Sequence, residues 1–159
     1  VIFEEAVACF RAMEIEEALG GFTRVLQINP RNERALYTAA LLLANGGEVD
    51  GAEEHLGKLL DINSLHLEAI YLLSLIHRVR GEVEKEIAQL KKALYSDRNF
   101  VLGHFQMGGF YLRSGRTEEA KRSLVNVLDI LRGQDDGGLI DGVEGLTVGG
   151  LRRSAPSGR

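Results

Sequence analysis

The side chains in this sequence that could bind a metal or attack a substrate are few and scattered. His55, His66, His77 and His104 form no HxxxH pair, the spacing that sets two imidazoles on one helix face around zinc, and none stands at ligand spacing from Cys9. Cys9 is the single cysteine, which excludes an internal disulfide and a multi-cysteine zinc site and fits a reducing, cytoplasmic setting. No set of Ser, His and Asp suggests a hydrolase. The glycine pairs Gly20-Gly21, Gly46-Gly47 and Gly108-Gly109 fall within or beside helical segments, not after a strand, so they read as turn and packing glycines rather than a nucleotide cradle. No catalytic residue, metal ligand or cofactor-binding residue is expected in this chain.

What remains is the chemistry of recognition. Tyr37, Tyr71 and Phe105 recur at steps of 34 residues, and Arg11, Arg34, Asn45, Glu68, Arg78 and Arg113 fall into the same recurring stripe. Aromatic rings and guanidinium groups carry much of the binding energy at protein interfaces, so the stripe is a candidate groove for a protein or peptide. The competing reading is that the rings only cover a helical core. Nucleic acid is not the expected partner, because 19 Lys and Arg against 23 Asp and Glu leave a net charge of −4. Membrane insertion is not expected either: the most apolar run, Ala35 to Ala44, is far shorter than the roughly 20 residues a spanning helix needs. The chain begins at Val1 with Glu4 and Glu5 close behind, unlike a signal peptide, and reads as a piece of something longer.

The elements that would position the stripe come from a repeat of about 34 residues, the period of two antiparallel helices joined by short turns. Met13, Gly47, Gly81 and Gly115 mark the turn inside each pair, where a helix must end in a left-handed conformation. Ala18, Ala52, Glu86 and Ala120 follow, then Phe22, Leu56, Leu90 and Leu124, then Val25, Leu59, Ala93 and Val127. Small residues at Ala6, Ala40, Ser74 and Gly108 alternate with larger ones at Cys9, Leu43, His77 and Tyr111, letting helix axes approach closely. The slot shared with Leu43 predicts a buried, inert Cys9 thiol. The spacing predicts eight helices, at 1–12, 15–28, 32–45, 49–61, 66–80, 83–95, 100–114 and 117–131.

These positions resemble the tetratricopeptide repeat, most clearly through His104, Met107-Gly108, Tyr111, Gly115, Ala120 and Leu124. The resemblance implies an all-α solenoid of helical hairpins, about four repeats, whose first helices line a concave binding surface. It also implies no clamp for a peptide's terminal carboxylate, since aromatics stand where lysines would form it. A narrower likeness covers residues 93–151. Ala93-Leu94-Tyr95-Ser96-Asp97, Asn99 to Gly108 and Glu144-Gly145-Leu146-Thr147-Val148-Gly149-Gly150-Leu151 look like the last repeat and terminal box of CheR-type chemoreceptor methyltransferases. Arg98, Gly103, Val148 and Gly150 depart from that pattern. That likeness implies a regulatory or targeting module of a protein-glutamate methyltransferase in chemosensory signalling. Its S-adenosylmethionine site would lie upstream, and its partners would be the parent catalytic domain or a chemoreceptor cytoplasmic region. The alternative is an independent adaptor with no enzyme attached.

The composition changes after Arg132. Eight of the 19 glycines lie in the last 27 residues, too many for a stable helix, so the repeat array is expected over 1–132 and a tail over 133–159. Leu139, Ile140, Val143, Leu146, Val148 and Leu151 give that tail an apolar side, with partial docking expected through 146–151 and Thr147 as a helix cap; the alternative is a disordered tail kept mobile by its glycines.

Overall fold

Glycine ends three of the helices. In the computed structural model, which describes residues 2–132, Gly47, Gly81 and Gly115 have φ of 83°, 72° and 72°, a region that costs other residues about 1–2 kcal/mol. Each turn repeats one hydrogen-bond pattern. The N–H groups of Glu48, Glu82 and Arg116 donate to the carbonyls of Leu43, His77 and Tyr111, while those glycines donate to Ala44, Arg78 and Leu112. This double closure satisfies carbonyls that a helix end leaves unpaired.

Seven helices result among the described residues: α1 (Ile2–Ile28), α2 (Glu33–Asn45), α3 (Val49–Ile62), α4 (Leu67–Val79), α5 (Val83–Ser96), α6 (Val101–Arg113) and α7 (Thr117–Leu131). From α2 onward the bounds agree with the expected ones to within a residue. The first pair does not: segments 1–12 and 15–28 are one continuous helix of 27 residues. The cause is Met13, which stands where the other turns have glycine and is followed by Glu14, Ile15 and Glu16, all content in a helix. Without that hairpin, Cys9 has no slot to fill and is exposed, so the expected buried thiol is corrected.

A second turn, missed in the sequence, also recurs every 34 residues. Asn29, Asn63 and Asp97 each accept a backbone N–H two residues on through the side chain, from Arg31, Leu65 and Asn99. Their carbonyls accept the N–H of Asn32, His66 and Phe100. These Asx turns reverse the chain between hairpins. Asn32 then caps α2 by accepting the Ala35 N–H at 2.9 Å.

The chain divides into two units, Val1–Ala69 and Ile70–Arg159, with the boundary inside α4. In the first, α2 packs on both α1 and α3. Its core includes Leu36, Ala40, Ala52, Leu56 and Leu59, all at most 1% exposed. In the second, α6 packs on α5 and α7, and the buried side chains include Ile70, Leu90, Ala93, Val127 and Leu131. The small slots work as the alternation requires: a Cβ on Gly108 would lie 3.1 Å from Leu124.

The turn glycines can be separated from ordinary ones by substitution. Beyond the adjoining backbone, no atom lies within 4 Å of a Cβ built on Gly81, Gly115 or the helical Gly57. Gly81→Ala and Gly115→Ala should therefore lose about 1 kcal/mol each through backbone strain alone. Gly57→Ala, at an exposed position inside α3, should gain about 0.5–1 kcal/mol. Urea denaturation measures both signs.

Candidate protein interface on the first helices

The stripe residues of the first unit lie on α1, α2 and α4. Arg34 is exposed one residue inside α2, Asn45 is exposed at its end, and Arg11 is exposed on α1. Tyr37 and Glu68 both meet His66. The Tyr37 and His66 ring centroids are 5.7 Å apart, and His66 Nδ1 lies 3.4 Å from a Glu68 carboxylate oxygen. The same nitrogen accepts the Ala69 N–H at 3.2 Å, so it caps α4. His66 occupies the slot that Asn32 holds one repeat earlier, which is the signal that a cap was needed there.

In the second unit the stripe is carried by α4 and α6. Tyr71 is half-buried, its ring edge on the buried Phe100 at 6.0 Å between centroids. Burial pushes its phenol above the ordinary value, and the nearby Arg78 guanidinium offsets part of that rise. Arg78 is exposed and Phe105 half-buried, while Leu112 leaves 52% of its surface to solvent. Arg113 is not simply a groove residue. Its guanidinium donates to Glu86 at 3.1 Å, and Glu86 is only 2% exposed. That glutamate fills a slot that is alanine at Ala52 and Ala120, so its need for a cation was written in the repeat.

The other candidates resolve into structure. His77 is buried and its Nδ1 stands 3.6 Å from Glu82; His104 Nε2 is 2.7 Å from the Arg98 carbonyl; His55 Nδ1 is 2.8 Å from the Gly51 carbonyl. Among the described residues there is no group of three or more His, Cys, Asp or Glu placed to hold a metal, and no helix is long and apolar enough to cross a membrane.

Glu82, at the start of α5, is drawn below the ordinary carboxylate range, first by its hydrogen bond to Lys85 and further by the charges of Lys85, His77 and Arg80. A lowered folded-state value means that Glu82 contributes stability above its unfolded value and loses it as the pH falls through the folded one. Acid should therefore narrow the gap between wild type and Glu82→Gln. Urea midpoints of the two proteins between about pH 6 and pH 3 give the test, and a constant gap would contradict it.

With this geometry in place, comparison with known proteins locates the fold. No protein-family model matches the sequence, and no curated protein matches it. Among solved structures, MamA, a protein of the tetratricopeptide-repeat fold, is similar over 76% of this chain and 70% of its own, with a TM-score of 0.66 and 20% identity. MamA from Desulfovibrio magneticus RS-1 matches over 84% of this chain and 75% of its own, with a TM-score of 0.68 and 22% identity. The chain therefore has an all-α fold of the tetratricopeptide type. The likeness to CheR-type methyltransferases is overturned: the structural neighbours are MamA proteins, and nothing in the comparisons supports a relation to those methyltransferases. The reason is physical. Ala93, Phe100, Leu102, Gly103, Met107 and Gly108, which carried that likeness, are buried packing positions of the hairpins, so they report the repeat and not an attached enzyme. The second half of that likeness, 133–151, lies outside the described residues, as does the whole expected tail.

Proposed function

We propose that this chain is an adaptor or scaffold module that binds protein segments along the first-helix stripe. The observation that supports it is the combination, within each unit, of partly exposed aromatics with exposed arginines on first helices: Arg34 and Tyr37 in one, Tyr71, Arg78 and Phe105 in the other. These rings keep accessible surface on helices that also carry exposed arginines, and Arg78 lies close enough to Tyr71 to act on its phenol. The ligand favoured by this chemistry is an extended or helical segment with acidic and apolar residues. The single Cys9, which leaves no internal disulfide to form, supports a reducing compartment such as the cytoplasm as its setting.

Titration of the full chain against a library of acidic-apolar peptides tests the reading, followed by Arg34→Ala and Arg78→Ala. Both arginines are exposed, so folding is retained. Each change should weaken binding by about 1–2 kcal/mol, an effect that shrinks with salt. Undiminished binding by the folded double variant would move the interface off the first helices.

A further inference from the structure

In the second unit a cleft of about 300 Å³ opens between the Asp97–Phe100 turn and the end of α7. Leu94 and Ile130 give it apolar walls, and Arg98, Asn99, Asn126 and Asp129 supply polar ones. The turn side of the cleft is fixed by His104, whose ring nitrogen lies 2.7 Å from the Arg98 carbonyl. Asp129 is already engaged with Arg132 at 3.4 Å, which leaves Arg98 to receive negative charge from an occupant. The volume is at the small end for ligand sites and suits a leucine-sized side chain with its adjoining backbone. Beside the cleft, α7 leaves Val125 52% and Leu128 41% exposed. An outward apolar face on α7, the last of the described helices, calls for a cover.

We propose that the cover is the chain's own segment Leu146–Leu151, docked in this cleft. The tether favours it. Asp129 and Ile130 belong to the last turn of α7, and the 13 residues from Gly133 to Gly145 give slack of up to about 40 Å when extended. A tethered segment meets its site at high effective concentration, and the entropy cost of closing a loop grows only slowly with its length. The composition also fits. Leu146, Val148 and Leu151 supply the apolar groups, while Gly145, Gly149 and Gly150 allow the backbone to approach the walls closely. Asp135, Asp136, Asp141 and Glu144 give the tail carboxylates whose charge complements Arg98. This site is separate from the first-helix stripe, so partner binding and tail docking can fail independently.

Hydrogen exchange on the full chain provides the test. The amides of 146–151 should exchange about tenfold or more slowly than in a free chain, at every protein concentration. Asn126→Trp, which fills the cleft from an exposed position, should abolish that protection. A nitroxide at Asn99→Cys in a Cys9→Ser background should broaden the amide signals of the same segment in the otherwise intact chain. That measurement keeps the test decisive if the tryptophan variant does not fold. Free-chain exchange rates would overturn the proposal, as would protection without broadening from position 99. Protection that grows with protein concentration would assign the cleft to a second copy instead.

Discussion

Leu56→Ala and Leu90→Ala should each lower the unfolding free energy by about 2–5 kcal/mol, while Leu124→Ala, the same change in the same repeat slot, should cost less. Leu56 and Leu90 are wholly buried, each on the second helix of a hairpin. Truncation there removes a side chain from close packing and leaves a cavity that rigid neighbours fill only partly. Leu124 packs against Gly108 but is only half-buried on α7, so less apolar surface returns to water and α7 can relax. Ala52→Leu and Ala120→Leu probe the same register from the opposite side: both alanines are at most 1% exposed, and overpacking should cost about 1–3 kcal/mol. Lys58→Ala and Lys121→Ala, at exposed ends of i,i+4 and i,i+3 ion pairs, serve as controls and should change little. Urea denaturation of the series ranks them. A Leu124 variant as damaging as Leu90 would show that the α6-facing contact of α7 is packed as tightly as an interior helix.

Much of this fold was legible because it is periodic. Glycine at 47, 81 and 115 told where helices end, and alternating small and large residues told which faces meet, since both follow from sterics local to one hairpin. The first hairpin failed where that signal failed, at Met13, because a methionine gives a helix no reason to stop. Other features depend on atoms that sequence spacing does not reveal. The side-chain oxygens of Asn29, Asn63 and Asp97 share a slot, yet their role appears only once the turn closes around them. Tyr37 falls on the stripe by its spacing, but its contact with His66 depends on how a cap is met. The narrower family likeness misled for a related reason: a run of residues chosen by packing is shared by every chain that packs the same way.

Arg113 shows how a recognition residue and a structural one can be confused, and a double-mutant cycle separates the two. Arg113→Ala should cost about 2–3 kcal/mol, because it leaves the Glu86 carboxylate buried at 2% exposure without its cation. The figure sits below that for a fully buried pair, since Arg113 itself is 41% exposed and water can partly take its place. Glu86→Ala restores the alanine that Ala52 and Ala120 carry in this slot and should be much milder, within about 1 kcal/mol of wild type, because the freed guanidinium can turn to solvent. The double variant should then resemble Glu86→Ala, giving a coupling energy nearly as large as the Arg113→Ala loss. Partner binding adds the decisive column. If Arg113 only holds Glu86, the folded double variant binds as tightly as Glu86→Ala; if its guanidinium also reaches the ligand, the double variant binds more weakly while being equally stable. Additive stability losses would mean that the pair contributes nothing in solution and that Glu86 finds another way to keep its charge.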